Sequence, residues 1–409
     1  MRAPPGPATS AGASPPLPEP DSAAREHSAH LVALIRARLA ASPLPFVDYM
    51  ALALYAPGLG YYVAGAPKFG AEGDFVTAPE LSPLFGRCLA AQCREVLDTF
   101  GESEAGILEL GAGSGRLAAS LVAAFGERPV TYAILEPSAE LRERQRAHLA
   151  DALSAEAFAR VRWVEALPPR HDGVILANEV MDALPVERFV RRGNRTLQVC
   201  VEAIAATGAE LASPLADATR PAPPALASAV TAIEDDLARA LPEGYAAELC
   251  PSLGPWITSL ADTLGRGVLL LADYGYPRRE LYLAERAGGT LACHYRHRAH
   301  GDPYLWPGLQ DITAHVDFTR VAEAGTAASL ELLGYATQAS FLLGCGLPVL
   351  TERMREELEG EPARIELARA VRTLTLPGEM GERFQFIAFG KHYDHALRGF
   401  GLQDLTHRL

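Results

Sequence analysis

One segment, Gly106 to Arg116 with the sequence GILELGAGSGR, most constrains how this chain can fold. Its short apolar run predicts a buried strand, and the apolar periodicity of residues 117–125 predicts a helix after a tight loop. Gly111, Gly113 and Gly115 allow positive φ and let a ligand approach the backbone closely, next to the free amides at the start of the helix. The segment therefore predicts a ligand-binding strand, loop and helix within an α/β domain.

The spacing of the glycines indicates which ligand this loop accepts. A dinucleotide-binding loop has its third glycine five residues after the first, but Arg116 occupies that position here. Glu109 would repel a pyrophosphate and would attract the ammonium group of a methionine moiety. We therefore expect S-adenosylmethionine rather than a nicotinamide dinucleotide. The loop alone does not distinguish this site from an ordinary turn between a strand and a helix.

Further apolar runs predict the other strands of a doubly wound sheet, at 130–136, 162–165, 173–177, 269–273 and 383–390. Ligands of such sheets bind beyond the carboxyl ends of the strands. Glu136 ends the second run, and we expect it to bind the ribose hydroxyls unless it only supports the start of the next helix. Glu165 ends the third run, where it either accepts the adenine amino group or is a surface acid.

The fourth strand runs directly into a polar segment that contains Asn178, Glu179 and Asp182. These residues follow the strand at the edge where the methyl group would be transferred, and Asn178 is expected beside the cofactor. A guanidinium nucleophile is always cationic, so carboxylates would have to hold it and accept a proton. Glu179 and Asp182 are therefore the candidate catalytic residues. The alternative is that Asp182 caps a helix and Glu179 is a solvated loop acid.

The ordered motifs resemble those of the MidA family, which is similar in fold to class I (Rossmann-like) methyltransferases. The resemblance is carried by seven blocks between residues 45 and 391: GDFVTAPELSPLFG, LELGAGSGRL, ILEPSAELRERQ, ANEVMDALPVERF, LLADYGY, GLQDITAHVDF and TQASFLLGCG. It implies S-adenosylmethionine as cofactor. It also implies symmetric dimethylation of an arginine ω-nitrogen in a subunit of respiratory complex I, the family's best-studied activity. A non-catalytic chaperone for complex I assembly, which binds the same cofactor, is the alternative function.

Site residues are carried over from this resemblance by position. The three glycines match the family's cofactor loop, and Asn178, Glu179 and Asp182 match its acidic motif after the fourth strand. Thr77, Pro79 and Glu80 match a block that closes over the cofactor, where Thr77 and Glu80 would contact the substrate. Ala112 stands where many relatives have proline, and Arg116 changes the charge of the loop.

Several polar residues in the second half of the chain are further candidates for the site. Asp273 and Tyr274 end the fifth strand, so we expect both on the substrate side of the same edge. His315 and Asp317 alternate with apolar residues, and either face the substrate or pair structurally. The segment from Cys293 to His300 contains a cysteine and three histidines, but its spacing matches no standard zinc site and arginines interrupt it. We therefore expect no metal.

Composition narrows the possible partners and the cellular compartment. The net charge of −13 argues against a nucleic-acid partner and suits a cationic protein segment. No apolar run reaches eighteen residues, so we expect no membrane insertion. Six cysteines without a CxxC pair indicate reduced thiols, and we expect a bacterial-type cytoplasmic protein.

The chain is expected to divide into five regions, with loose structure at residues 203–230 because alanine and proline are frequent there. These regions are a disordered extension (1–25), an N-terminal helical cap (26–100), the first part of the methyltransferase domain (101–186), an inserted cap (187–265) and the second part of that domain (266–409).

Overall fold

The computed structural model describes residues 17–40, 42–64, 77–101, 105–126, 128, 130–204 and 214–409. Its helices are α1 (Ser22–Leu39), α2 (Phe46–Tyr55), α3 (Ala78–Leu81), α4 (Pro83–Asp98), α5 (Arg116–Phe125), α6 (Ala139–Ala152), α7 (Ala155–Phe158), α8 (Pro224–Leu237), α9 (Leu253–Thr263), α10 (Arg278–Leu281), α11 (Phe318–Ala327), α12 (Gln338–Gly344), α13 (Leu347–Glu357) and α14 (Glu361–Thr375). Its strands are β1 (Leu44–Pro45), β2 (Gly106–Leu110), β3 (Thr131–Leu135), β4 (Val161–Val164), β5 (His171–Asn178), β6 (Glu187–Arg192), β7 (Arg195–Ala203), β8 (Leu215–Pro221), β9 (Ala246–Leu249), β10 (Leu264–Tyr276), β11 (Ala292–Tyr295), β12 (Arg298–His300), β13 (Asp311–Thr313), β14 (Val316–Asp317), β15 (Glu331–Thr337) and β16 (Phe384–Lys391).

The main sheet has the strand order β15-β16-β10-β5-β2-β3-β4, and β14 pairs with β10. Strands β4, β3, β2, β5 and β10 are parallel, whereas β16 runs antiparallel to both of its neighbours. Of the parallel strands, β2 comes first in the chain. Strands β3 and β4 follow on one side of β2, and β5 then pairs with the other side of β2. The strand order therefore reverses between β2 and β5, and a crevice opens there at the carboxyl ends of the strands.

Helices cover both faces of this sheet, as a parallel sheet requires. On one face α4 and α5 pack with α12 and α14 on apolar side chains that include Phe85, Leu117 and Phe341. On the other face α9 and α11 pack on side chains that include Ile257 and Val321. The sequence prediction of a doubly wound α/β fold is confirmed, and the five predicted strands lie within a few residues of β3, β4, β5, β10 and β16.

Two smaller sheets extend the domain beyond the crevice. Antiparallel strands β1, β7, β6 and β9 form one sheet, with β8 paired to β7, and β12, β11 and β13 form the other. Helices α1 and α2 pack between them on a core that contains Leu31, Phe46, Tyr49 and Ile312. A fourth core joins α8 to β6 and β9. None of the described helices is long and apolar enough to cross a bilayer.

The structure divides the chain differently from the predicted regions. Residues 1–16 lie outside the described residues, but α1 begins at Ser22 because the carboxylate of Asp21 accepts a hydrogen bond from the amide of Ala24 at 2.9 Å. The disordered extension is therefore wrong for 22–25. The expectation of loose structure is wrong for 215–230, where β8 and the first half of α8 are ordered. Helices α4 and α9 belong to the main domain, since both pack on its sheet.

Candidate active site

A cavity of about 360 Å³ lies in the crevice between β2 and β5. Residues of the loops that follow β2, β3 and β5 line it, together with residues from α2, α3 and α9. The lining comprises Tyr55, Tyr62, Thr77, Pro79, Glu80, Glu109, Leu110, Gly111, Ala112, Gly113, Ser114, Leu117, Leu135, Glu136, Pro137, Leu141, Asn178, Glu179, Val180, Ala183, Leu184 and Trp256. Its volume lies within the range of about 300–1,000 Å³ that is usual for small-molecule sites.

The glycine loop has the backbone conformation that its sequence predicts. Gly111, Gly113 and Gly115 have φ values of 63°, 54° and 85°, a region that residues with a Cβ rarely adopt. A Cβ at Gly111 would lie 3.2 Å from Cγ2 of Val180, across the cavity floor. Gly111 and Gly113 line the cavity, whereas Gly115 caps helix α5 and lies outside it. The first two glycines therefore leave room for a ligand against the backbone.

Two buried acids flank the loop at the ends of β2 and β3. Glu109 accepts a hydrogen bond from the hydroxyl of Tyr132 at 2.8 Å. Burial raises the pKa of Glu109 to about 7, the Tyr132 hydrogen bond lowers it, and the charge of Glu136 raises it again. Glu136 accepts from the amide of Ser138 at 2.9 Å and from Nε2 of Gln145 at 3.2 Å. Both carboxylates are thus held at the cavity, where a cationic or hydroxyl-bearing ligand would meet them.

The motif block at residues 73–86 also contacts the glycine loop. Thr77 lines the cavity as the residue before α3, and residues 73–76 of the same block lie outside the described residues. Glu80 accepts a hydrogen bond from the hydroxyl of Ser114 and forms an ion pair with Nε of Arg116 at 2.7 Å. Glu80 therefore holds the cofactor loop, and its carboxylate compensates the charge that Arg116 adds there. Glu80 also lines the cavity, and its contact with the substrate stays a prediction.

The chain leaves β5 in a strained conformation that brings Glu179 into the cavity. Glu179 has φ of 55°, which is uncommon for a residue other than glycine and occurs mainly at functional sites. Its amide donates to the carbonyl of Ala272 on the neighbouring strand at 2.9 Å. Nδ2 of Asn178 donates to Oε1 of Glu179 at 3.1 Å, and both side chains line the cavity.

The environment of Glu179 favours its neutral form when the cavity holds no cation. The pKa of Glu179 is raised to about 8, mainly by burial and also by the charges of Asp182 and Asp311. The hydrogen bonds from Asn178 and from the amide of Ala78 oppose this shift. A cation that enters the cavity would restore the charged carboxylate, so Glu179 is suited both to bind a cation and to take up a proton.

Asp182 and Tyr274 do not line the cavity. Asp182 is 6% exposed and is not part of the lining, and its Oδ2 accepts a hydrogen bond from the hydroxyl of Tyr274 at 2.6 Å. Burial raises the pKa of Asp182 to about 6, against the Tyr274 hydrogen bond. The predictions that Asp182 acts directly in catalysis and that Tyr274 contacts substrate are therefore corrected. Asp182 is buried and Tyr274 is half-buried, and the two side chains bond to each other outside the cavity lining.

Asp273 also supports this turn and does not reach the cavity. Its Oδ2 accepts hydrogen bonds from the amides of Val180, Met181 and Asp182 at 3.2, 2.8 and 3.2 Å, and its Oδ1 accepts from the amide of Tyr274 at 2.9 Å. The side chain is fully buried. The predicted contact of Asp273 with the substrate is wrong, because backbone amides occupy both carboxylate oxygens.

Three other predicted site residues lie elsewhere. Glu165 follows β4, its side chain is 78% exposed and it pairs with Arg142 at 3.0 Å, so the surface interpretation holds. Asp317 caps α11 and pairs with Arg278 at 3.2 Å. His315 lies against Tyr274 and Tyr276 outside the cavity, where burial lowers its pKa to about 4. The predicted roles of Glu165 at adenine and of His315 and Asp317 at the substrate are corrected by these positions.

Among the described residues, no group of three or more His, Cys, Asp or Glu side chains is placed to hold a metal ion.

Sequence reasoning missed several residues that shape the cavity. Tyr55 and Tyr62 form part of its wall, and Trp256 reaches it from α9. Gln145 is fully buried and donates to the carbonyl of Gly113 at 3.0 Å as well as to Glu136, so it ties the loop to the second acid. Helical or strand periodicity marks such residues only as core positions, and no signal in the sequence distinguishes them from ordinary core residues.

The donor set of the cavity fits S-adenosylmethionine. A Cβ at Gly111 would be strained at its positive φ and would crowd Val180, so glycine keeps the backbone accessible to a ligand here. The carboxylate of Glu109 is available to an ammonium group, and that of Glu136 to ribose hydroxyls. The described lining contains no lysine, arginine or histidine, and its acids Glu109 and Glu136 would repel a pyrophosphate.

Comparisons with known proteins agree with this geometry. The model of a family of S-adenosyl-L-methionine-dependent methyltransferases matches residues 88–336. The protein arginine methyltransferase NDUFAF7, mitochondrial, of Danio rerio is 30% identical over 387 residues, with 86% of this chain and 84% of that protein covered. The Mus musculus protein of the same name is 29% identical, with 86% and 81% covered.

Solved structures extend this similarity to the whole fold. A Burkholderia thailandensis protein bound to S-adenosyl-homocysteine is 41% identical to this chain, and the two superpose with a TM-score of 0.88 over 96% of this chain and all of that one. A native crystal structure from the same organism is 40% identical, with a TM-score of 0.84 and the same coverage. The chain therefore belongs to the MidA family of S-adenosylmethionine-dependent methyltransferases.

Proposed function

We propose that the protein transfers a methyl group to an ω-nitrogen of an arginine side chain in another protein. One observation carries this proposal: the half-buried carboxyl group of Glu179 lies in the cofactor cavity, at the end of β5 and next to the end of β2. An acid with a raised pKa at the point of methyl transfer suits a cationic nucleophile, since an ion pair with a cation stabilises the charged carboxylate that the site otherwise disfavours. The names of the NDUFAF7 relatives support arginine as that cation.

The residues of this chain contribute mainly by position and charge. S-adenosylmethionine, when bound, supplies a methyl group attached to a sulfonium sulfur. Once the methyl group is transferred, the rest of the cofactor is a neutral thioether. The Glu179 carboxylate would hold the guanidinium by paired hydrogen bonds and direct one nitrogen toward the cofactor. The product guanidinium must lose a proton from that nitrogen, and the raised pKa of Glu179 makes its carboxylate a suitable acceptor.

We also propose a partner and a compartment for this activity. A respiratory complex I subunit is the proposed protein substrate, on the basis of the motif blocks shared with the MidA family. The net charge of −13 favours a basic protein segment over nucleic acid. The proposed compartment is a bacterial-type cytoplasm, with the six free cysteines as support.

Labelling of a knockout lysate tests the substrate class. Purified protein and labelled S-adenosylmethionine are added to the lysate, and labelled peptides are mapped by mass spectrometry. We expect label on arginine of one or a few proteins, and we expect the exposed Glu165→Gln variant to give the same pattern. Label on lysine or on a small molecule would contradict the proposal.

The rate is expected to rise with pH across the neutral range. Below about pH 8 most of the ligand-free enzyme holds Glu179 protonated, and a neutral carboxyl cannot pair with a guanidinium. We therefore expect kcat/KM to increase about tenfold per pH unit below about pH 8 and to level off above it. Initial rates at low substrate concentration from about pH 6 to about pH 9.5 measure this. A flat profile would exclude Glu179 as the cation-binding group.

A further inference from the structure

Two tyrosine rings form the part of the cavity wall that comes from the N-terminal region. Tyr55 is the last residue of α2, and Tyr62 follows in the turn after that helix. The rings are stacked, with centroids 5.5 Å apart and planes 19° from parallel. Both residues line the cavity together with Glu179. The wall therefore presents aromatic surface in the same cavity as a half-buried carboxyl group.

Hydrogen bonds fix both rings in place. The hydroxyl of Tyr55 donates to the carbonyl of Ala183 at 2.9 Å, which anchors it to the segment that follows the Glu179 turn. The hydroxyl of Tyr62 donates to Oδ1 of Asp311 at 2.9 Å, and Asp311 is only 2% exposed. Because both hydroxyls already have partners within the protein, the ring surfaces are the part of each tyrosine left for contact with a ligand.

The charges around these rings favour a cation on their surface. Burial raises the pKa of both tyrosines, and the charges of Asp311 and Asp182 raise it further. Those same two acids raise the pKa of Glu179. The described lining contains no basic side chain that would offset them. Aromatic faces attract cations, and the surrounding acids add to that attraction.

We infer that the Tyr55–Tyr62 pair is the surface on which the substrate guanidinium stacks, and that this pair makes the enzyme select arginine over lysine. The inference rests on the proposed function. A guanidinium is planar and weakly hydrated, so it stacks on a ring while its edge hydrogen-bonds the Glu179 carboxylate. A lysine ammonium is compact and strongly hydrated, and it gains less from the same surface. The two tyrosines are positioning residues, since they orient the nucleophile and exchange no proton with it.

Binding of two small probes to the protein saturated with S-adenosylhomocysteine tests this role. The probes are N-acetyl-arginine amide and N-acetyl-lysine amide, titrated by calorimetry into wild type, Tyr55→Leu, Tyr55→Phe, Tyr62→Leu and Tyr62→Phe. We expect wild type to bind the arginine probe at least about tenfold more tightly than the lysine probe. Each leucine variant should weaken the arginine probe about tenfold and leave the lysine probe nearly unchanged.

The phenylalanine variants and the cofactor product are the controls. Phenylalanine keeps the ring and loses only the hydroxyl, so both phenylalanine variants should bind the arginine probe within about threefold of wild type. Saturation with S-adenosylhomocysteine is confirmed separately for each of the five proteins, and a thermal midpoint within about 3 °C of wild type excludes misfolding. Unchanged arginine binding in the leucine variants would overturn the stacking role alone. Failure of wild type to bind the arginine probe would instead overturn the proposed function, and this inference with it.

Discussion

Replacing Glu179 with glutamine is expected to lower the rate of methyl transfer at least about 100-fold. Glutamine has nearly the same size and can still accept the hydrogen bond that Asn178 donates. It cannot balance the charge of a guanidinium or take up its proton. Rates are measured at saturating S-adenosylmethionine on the protein substrate found by labelling. The matched control is Glu165→Gln, which changes an exposed glutamate outside the cavity and should keep full activity.

The stability of the Glu179→Gln variant should show that its loss of activity does not come from misfolding. The folded-state pKa of Glu179 is about 8, above the value of about 4.3 for an unfolded chain. The stability that its neutral form contributes is therefore fully present below about pH 4 and is lost as the pH rises through about 8. We expect the variant to match wild type in thermal midpoint near pH 4 and to exceed it near pH 9. A variant that is less stable at both values would not separate catalysis from folding, and its low activity would then not support the role of Glu179.

The same variant distinguishes the enzyme from the alternative assembly chaperone. A chaperone needs the folded protein and its bound cofactor, and Glu179→Gln should preserve both. An enzyme needs the carboxylate. We expect knockout cells that carry the glutamine variant to lack the cellular function that wild type restores. Full restoration by the variant would favour the chaperone.

Replacing Asp273 with alanine is expected to cause the largest loss of stability among single substitutions at this site. The change leaves the buried amides of Val180, Met181 and Asp182 without their acceptor. Each unsatisfied amide costs about 1–3 kcal/mol, so we expect a total of about 3–9 kcal/mol and a thermal midpoint lower by at least about 5 °C. Activity should fall as well, because these amides shape the turn that carries Glu179.

Two control variants separate the loss of the hydrogen-bond acceptor at Asp273 from the loss of its negative charge. Asp273→Asn keeps one carbonyl oxygen for the three amides and should be less destabilised than the alanine variant. Asp98→Ala removes an exposed acid that pairs with Arg128, and it should change stability by less than about 1 kcal/mol. If Asp273→Ala were as stable as Asp98→Ala, the three amides would not depend on the Asp273 carboxylate.

The positions of the acids show what could and could not be predicted from the sequence. Glu109, Glu136 and Glu179 were all predicted at strand ends, and all three line the cavity. Asp182 and Asp273 follow the same reasoning, yet they lie behind the cavity surface. The position of an acid along a strand places it at the correct edge of the sheet. It does not determine whether the carboxylate faces the ligand or a neighbouring backbone amide.

The sequence by itself determined which segments form the main parallel strands and the glycine loop, because buried apolar runs and positive φ at glycine are local properties of the chain. Only the tertiary structure decided which acids are free to meet a ligand and which hold the backbone. It also decided that Tyr55 and Tyr62 stand beside Glu179, since more than 100 residues of chain separate them from it and only packing brings them together. Burial and charge at the site therefore depend on long-range contacts, which no local pattern encodes.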